Sequence, residues 1–354
     1  MNKFRTVDLF CGGGGLTKGL QNAGFDVVAA FDWWQPAIDF YNQNIKGHQA
    51  YKQDLSDIES SVEQIKKWQP AIIVGGPPCQ DFSSAGKRDE NGGRASLTTS
   101  FATIVATVRP QLFIMENVDR ALKATTYRQA LEIFAKAGYH LTISVLDASL
   151  CGVPQKRKRA VVVGTLKKTS ISLIDIYKEM QSNTPMTVRD YLGDKLGIEY
   201  YYRHPRSYAR RGVFSIDEPS PTIRGVNRPI PKGYAGHPGD AVTIGSTDLR
   251  PLTTKERSLI QTFPEEWELH GNKSDIEQII GNAVPVKLAE YVGKAVMEAD
   301  RRDTLIDQSF VKPAFAYTES AQPIQQWFVF EQAPHYLTGN KAKQIPSEQG
   351  DNHG

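Results

Sequence analysis

Along the first half of the chain, short runs of aliphatic and β-branched residues alternate with stretches in which apolar residues recur three and four positions apart. The runs predict strands over Arg5–Phe10 and Val27–Phe31, a short one near Tyr51, then Ala71–Val74 and Leu112–Met115, and paired strands over His140–Leu146 and Ala160–Thr165. The spaced stretches predict helices over Leu16–Ala23, Pro36–Asn42, Glu59–Lys66, Ser100–Val108 and Arg128–Ala137. Strand and helix in alternation imply an α/β fold, a doubly wound and mostly parallel sheet with helices on both faces and ligands at the carboxyl ends of its strands. The alternation breaks near Lys167, where Gly, Pro and aromatic residues take over until about Leu249; helical pattern resumes over Thr254–Gln261 and Pro285–Asp300. The expected division is a larger unit over 1–166 and 282–300, a smaller one over 167–281, and a polar, Gln-rich tail over 301–354, weakly ordered except near Trp327–Phe330.

Composition narrows the class. With 354 residues, 40% hydrophobic and 23% charged, the chain has ample material for a large core. No apolar run approaches the ~20 residues that cross a bilayer, and the N-terminus carries no signal-peptide pattern, so a cytoplasmic protein is expected. Cys11, Cys79 and Cys151 are odd in number and widely spaced, which indicates neither a disulfide framework nor a metal site. The net charge of +3 understates one segment: Lys195–Lys232 holds eight Lys/Arg against three acids, a local +5. Tyr200, Tyr201, Tyr202 and Tyr208 are interleaved with Arg203, Arg206, Arg210 and Arg211, a composition suited to phosphate and base contacts, although a solvated basic face would look the same. Within it, Arg224-Gly225-Val226-Asn227-Arg228 offers Arg for guanine and Asn for adenine in a major groove.

The candidate chemistry collects at predicted strand ends. Residues 70–80, Pro-Ala-Ile-Ile-Val-Gly-Gly-Pro-Pro-Cys-Gln, run from a buried strand into a turn fixed by Pro77 and Pro78 that aims one thiol, Cys79. A thiol lowered in pKa by a neighbouring positive charge is a strong nucleophile; a tight turn with an incidental cysteine is the plainer reading. After the first strand, Asp8-Leu9-Phe10-Cys11 leads into Gly12–Gly15, a loop that lets backbone approach a ligand. Thr17 stands where a dinucleotide fingerprint would place its third glycine, which disfavours a pyrophosphate ligand, whereas Asp32 ends the second strand in the position that receives ribose hydroxyls. A nucleoside-type cofactor follows, with Trp33 against its base and Asp54 accepting from an exocyclic amine. Leu112–Met115 delivers Glu116-Asn117 to the same edge, where desolvation favours the protonated acid. In Gln155-Lys156-Arg157-Lys158-Arg159, period two sends Gln155, Arg157 and Arg159 to one face, from which the arginines could lower the thiol pKa or hold a base oxygen; a solvated edge strand is the alternative.

Taken together these residues resemble the DNA (cytosine-5)-methyltransferase family from Val7 to about Asp300. Phe10-x-Gly12-x-Gly14-Gly15 is similar to its cofactor loop, Pro77-Pro78-Cys79-Gln80-x-Phe82-Ser83 to its nucleophile motif and Glu116-Asn117-Val118 to its acid motif. Gln155-x-Arg157-x-Arg159 resembles a fourth, Arg250-x-Leu252-Thr253-x-x-Glu256 with Gln261-x-Phe263-Pro264 a fifth, and Gly281-Asn282-Ala283-Val284-Pro285 the last. The resemblance implies a Rossmann-like methyltransferase fold whose smaller unit recognises the target, S-adenosyl-L-methionine as donor with S-adenosyl-L-homocysteine as product, no metal, and a flipped cytosine in duplex DNA as acceptor. It implies Cys79, Glu116, Arg159 and Arg157 as catalytic residues, and Phe10, Gly12, Gly14, Gly15, Leu16, Asp32, Trp33, Asp54, Leu55, Pro77, Asn282 and Val284 around the cofactor. Gln80, Ser83 and Arg88 after the thiol, with Arg203, Arg206, Arg210, Arg224, Asn227 and Arg228, are the expected DNA contacts, and Gly86, Gly92 and Gly93 would hinge a lid over it. A prokaryotic or phage restriction-modification setting, with a separate endonuclease partner and monomeric action, is the implied context. RNA-directed members of the superfamily carry a Cys-Phe-Thr tripeptide, and none of the three cysteines here is followed by Phe-Thr.

Overall fold

A computed structural model of the chain describes residues 4–78, 96–169, 171–205, 207, 209–245, 248–305 and 329–331. In order, these contain β1 (Arg5–Leu9), α1 (Gly15–Asn22), β2 (Asp26–Asp32), α2 (Gln35–Asn44), β3 (Ala50–Lys52), α3 (Ile58–Lys66), β4 (Ile72–Gly75), α4 (Leu97–Val108), β5 (Leu112–Val118), α5 (Thr125–Lys136), β6 (His140–Asp147), β7 (Gln155–Lys156) and β8 (Lys158–Thr165). They continue with α6 (Leu173–Met180), α7 (Val188–Leu192), β9 (Tyr200–Tyr202), β10 (Val213–Ser215), β11 (Ser220–Pro221), α8 (Thr254–Ile260), α9 (Lys273–Asn282), α10 (Val286–Leu305) and β12 (Val329–Glu331).

The main sheet has the order β12-β6-β8-β5-β4-β1-β2-β3, parallel throughout except for β8, which runs against both β5 and β6. This is the doubly wound, mostly parallel architecture expected. Period-two alternation within each strand feeds two cores. Ile73, Phe113, Met115 and Val162 face one core with Phe101 and Ile104 of α4 and Phe134 of α5. Ile72, Val74, Ile114, Val161 and Val163 face the other, with Leu16 and Leu20 of α1 and Leu288 and Val292 of α10. Phe113 and Phe134 stack at 4.0 Å between centroids. Gly164 lies opposite Phe113, where a Cβ would fall 2.1 Å from the ring, so only glycine admits it.

Residues 167–281, expected to form the smaller unit, hold α6, α7 and all but the last residue of α9, none of them foreseen, and of these α6 and α9 join the sheet's own layers. Leu173, Ile176 and Tyr177 of α6 share a core with Leu288 and Val292 of α10. Ile276, Ile279 and Ile280 of α9 share one with Ala37, Ile38 and Phe40 of α2. Between them lie two small pairings, β9 with β10 and β7 with β11. In the tail, β12 extends the sheet beside β6, Val329 opposite Ile143.

Candidate active site

The strand order reverses between β1 and β4, since β2 and β3 extend the sheet one way and β4 and β5 the other. Such a switch point leaves a crevice at the carboxyl ends of the two strands. The glycine loop leaves β1 there and the turn toward Cys79 leaves β4. Phe10, Gly12 and Gly14 all take left-handed backbone (φ 57, 51 and 84). A Cβ on Gly15 would fall 2.2 Å from the Val284 carbonyl oxygen, whereas one on Gly12 would meet nothing within 4 Å among the described residues, which leaves that side of the loop open to them. The Asp32 carboxylate is fixed by the amides of Gly12 and Trp34, each donating at 2.9 Å. The Trp33 ring beside it is 62% exposed, with the Lys52 ammonium 5.0 Å from its centre. Asp54 is exposed and accepts from the Ser56 amide and hydroxyl; Leu55 is buried in the core, Asn282 is the last residue of α9, and Val284, two residues on, lies against Gly15 of the loop. An open glycine face, a fixed carboxylate and an exposed aromatic ring fit a nucleoside-bearing cofactor.

Glu116, near the end of β5, stands 2.8 Å from the Arg159 guanidinium on β8, both side chains 12% exposed. Burial pushes the Glu116 carboxyl up from its ordinary range, against the pull of Arg159 and Arg157. A Cβ on Gly76 would come 3.3 Å from its Oε2, so that glycine keeps space beside the acid. Asn117 donates to the Pro77 carbonyl at 2.9 Å, tying β5 to the turn that precedes Cys79. Pro77 is buried; Cys79, Gln80, Ser83, Arg88 and the glycines at 86, 92 and 93 lie outside the described residues, as do Arg206 and Tyr208.

Arg157 departs from the expectation. Instead of facing the crevice beside Arg159, its guanidinium is buried, 2% exposed, and donates to the carbonyls of Ile223, Gly281 and Ala283 at 3.0–3.1 Å. Both terminal nitrogens donate to those carbonyls, so the buried guanidinium clamps three segments together. Gln155 and Gln261 complete the clamp: Gln155 accepts from the Ile223 amide and donates to Gln261, which donates to the Ile280 and Ala283 carbonyls. Gln261 was legible only as a motif letter.

The basic segment is also partly internal. Tyr201 and Tyr202 are each 1% exposed, packed where the β9–β10 pair meets the rest of the fold, so they cannot stack on bases. Arg203 donates to the Thr222 carbonyl, Arg224 to that of His204, and Asn227 to that of Leu252 at 2.7 Å. Arg257, ion-paired with Glu277, donates to the Arg224 carbonyl from below. Arg210 and Arg228 are exposed, and Val226 stands 59% exposed at the tip of the loop. Asn227, Arg228, Pro229, Pro251 and Lys273 line a cleft at its foot.

No helix among the described residues is long and apolar enough to cross a membrane. The chain is 53% identical over 297 residues to the Type II methyltransferase M.HindV of Haemophilus influenzae, covering 84% of this chain and 97% of that one. It is 50% identical over 311 residues to the Type II methyltransferase M.HgiDI of Herpetosiphon aurantiacus, covering 88% and 99%. In fold it is similar to the S. pombe Dnmt2 methyltransferase, with a TM-score of 0.61 at 19% identity over 83% of this chain and 98% of that one. A family model for C-5 cytosine-specific DNA methylases matches residues 4–298, through the glycine loop, the acid strand and the arginine strand alike. The chain therefore belongs to the C-5 cytosine-specific DNA methylase family.

Proposed function

We propose that this enzyme methylates one short duplex sequence, moving a methyl group from S-adenosyl-L-methionine to C5 of a cytosine swung out of the helix, through a transient bond between the Cys79 sulfur and C6. The observation that carries the reading is the buried Glu116–Arg159 pair, 2.8 Å apart, beside the turn that leads into Cys79. Cytosine C5 is a poor nucleophile. Addition of the Cys79 thiolate to C6 breaks the C5–C6 double bond and makes C5 electron-rich, while the displaced charge moves toward N3. Glu116, favoured in its protonated form by burial, donates its proton there, and Arg159, braced by the same carboxyl, holds the O2 edge. The bound cofactor supplies an electrophilic methyl group on a sulfonium sulfur. Once C5 carries it, loss of the C5 proton to a solvent base, departure of the Cys79 thiolate and return of the N3 proton to the Glu116 carboxylate restore the ring and the acid. Arg157 contributes at a distance, by fixing the strand from which Arg159 projects.

The cofactor is assigned to the crevice beside Phe10, Gly12, Gly14, Gly15 and Leu16, with Asp32 accepting from ribose hydroxyls, Trp33 and Asp54 at the base, and Leu55, Pro77, Asn282 and Val284 around it. On the DNA side, Arg228 and Arg210 reach outward, while Arg203, Arg224 and Asn227 shape the loop that presents them. Extrusion of the base costs a few kcal/mol, drawn from these contacts. We further infer a monomer acting in a bacterial cytoplasm, with an endonuclease of the same specificity as a separate partner. Bisulfite sequencing of plasmid DNA from cells that express the intact chain or Cys79→Ser tests the whole reading. Protection at one recurring short sequence with the intact chain alone is expected; equal conversion in both would refute it.

A further inference from the structure

Beneath the glycine loop runs a line of polar groups that the reaction does not use. Asp8 on β1 is fully buried and accepts the Thr17 hydroxyl at 2.7 Å; Thr17 lies 3.0 Å from the Tyr41 hydroxyl, and Tyr41 lies 2.6 Å from His48 Nε2. The line crosses β1, α1, α2 and the turn after α2, and it ends at a half-buried imidazole. It also touches the loop itself: a Cβ on Gly14 would come 3.0 Å from the Tyr41 ring, so that ring is the floor under the loop. Asp8 Oδ1 has no hydrogen-bond partner among the described residues.

We propose that Tyr41 and His48 are positioning residues for the cofactor loop, completing a four-group hydrogen-bonded chain through which Asp8 exchanges a proton with solvent. The inference rests on that loop holding the cofactor. Each hydroxyl has one proton to donate, so the direction of the whole chain is fixed by its ends. With Asp8 protonated, Asp8 donates to Thr17, Thr17 to Tyr41 and Tyr41 to His48 Nε2. With Asp8 ionised, every bond reverses: Thr17 donates to Asp8, Tyr41 to Thr17, and His48 must carry its proton on Nε2. The change needs one proton to leave. Asp8 passes its proton to Thr17, Thr17 to Tyr41 and Tyr41 to Nε2, and the Nδ1 proton of His48 goes to water. Protons on Asp8 and on both nitrogens of His48 at once would leave two donors facing each other.

Burial first, and then the neighbouring charges, set where this exchange occurs. Burial pushes Asp8 up to about 7, with Asp32 of β2 acting in the same direction and the Thr17 hydrogen bond opposing it. Cys11 of the glycine loop feels both Asp8 and Asp32 and stays protonated, its thiol raised well above the ordinary value by burial. His48 is lowered by its own burial, against the pull of Asp26, and therefore remains a neutral group that can accept or donate.

The first test needs no cofactor. In 15N NMR spectra of the imidazoles, assigned by the signal lost in His48→Gln, Nε2 of His48 should change from bare acceptor to protonated donor with a midpoint near Asp8's about 7. Tyr41→Phe keeps the ring under Gly14 and should abolish that change; a single tautomer throughout, or a change that survives in Tyr41→Phe, would overturn the chain. Calorimetry with S-adenosyl-L-homocysteine tests the positioning role. Tyr41→Phe should bind about fivefold more weakly, the equilibrium equivalent of one lost hydrogen bond. Referencing each pH series to Asp8→Asn cancels the ligand's own titration. Equal affinity of the intact chain and Tyr41→Phe at every pH would overturn the positioning role. Absence of binding even by the intact chain would sink the cofactor reading instead, with the NMR arm still deciding the chain.

Discussion

Asp8 places a carboxyl without exposure in the middle of the sheet, and its burial should be readable in the pH dependence of stability. Its value rises from 3.8 to about 7 through burial. A carboxyl raised in this way binds its proton more tightly in the folded chain than in the unfolded one. Its contribution to stability is therefore complete below 3.8 and drains away as pH rises through about 7. At about 1.4 kcal/mol per pH unit, the interval from 3.8 to about 7 corresponds to about 4 kcal/mol, of which about 3 kcal/mol is lost between about pH 5 and about pH 8. Asp8→Asn cannot ionise and still offers Thr17 a polar partner. The difference in unfolding free energy should accordingly move about 3 kcal/mol in favour of the variant across that range. Urea denaturation at each pH, with comparable slopes for the two proteins, measures it. Parallel pH profiles for the intact chain and Asp8→Asn would show that Asp8 does not titrate in this window and would refute the reasoning.

Three further perturbations probe the site. Glu116→Gln removes the proton donated to the base while keeping a hydrogen bond to Arg159, so methyl transfer should fall about 10²- to 10⁴-fold with DNA affinity nearly unchanged. Because burial raises the Glu116 carboxyl, the intact enzyme's kcat/KM should decline as pH climbs through that raised value, and a flat alkaline limb would argue against an acid at this position. Arg157→Met leaves the carbonyls of Ile223 and Gly281 without their guanidinium donor, while Ala283 keeps the Gln261 amide, which should cost about 2 kcal/mol or more of stability in chemical denaturation; an unchanged midpoint would mean the clamp is not needed. Arg228→Ala should relax discrimination at one base pair by about 1–3 kcal/mol in competition binding, whereas equal weakening on every sequence would make Arg228 a phosphate contact.

What the sequence could and could not disclose follows from where each group acts. The sheet was legible because a short continuous apolar run, as in Ile72-Ile73-Val74 and Phe113-Ile114-Met115, is a local property that packing then divides, one face to each core. Glu116 and Asp32 were legible as candidates for the same reason, since a carboxyl at the end of an apolar strand has few places to go but the sheet edge. Arg157 and Arg159 show the limit. Period two puts them on one face, but it cannot say which of them meets the carbonyls of segments 66, 124 and 126 residues away. Tyr201 and Tyr202 mislead in the opposite sense: aromatic residues among arginines have the composition of a nucleic-acid surface, and only the β9–β10 pairing shows that these rings are core. The helices α6, α7 and α9 went unread because they are short and most of their apolar faces are completed by distant partners, Leu288 and Val292 for α6, Ala37 and Phe40 for α9. Asp8, Thr17, Tyr41 and His48 follow the same logic to its end. None stands in a spacing that implies the others, because the line between them exists only once α1 and α2 have packed beside β1. Groups that meet a ligand at strand ends leave a local trace in the sequence; groups that chiefly meet one another are specified by the packing, and it is there that functional roles outside the motifs of this chain are to be sought.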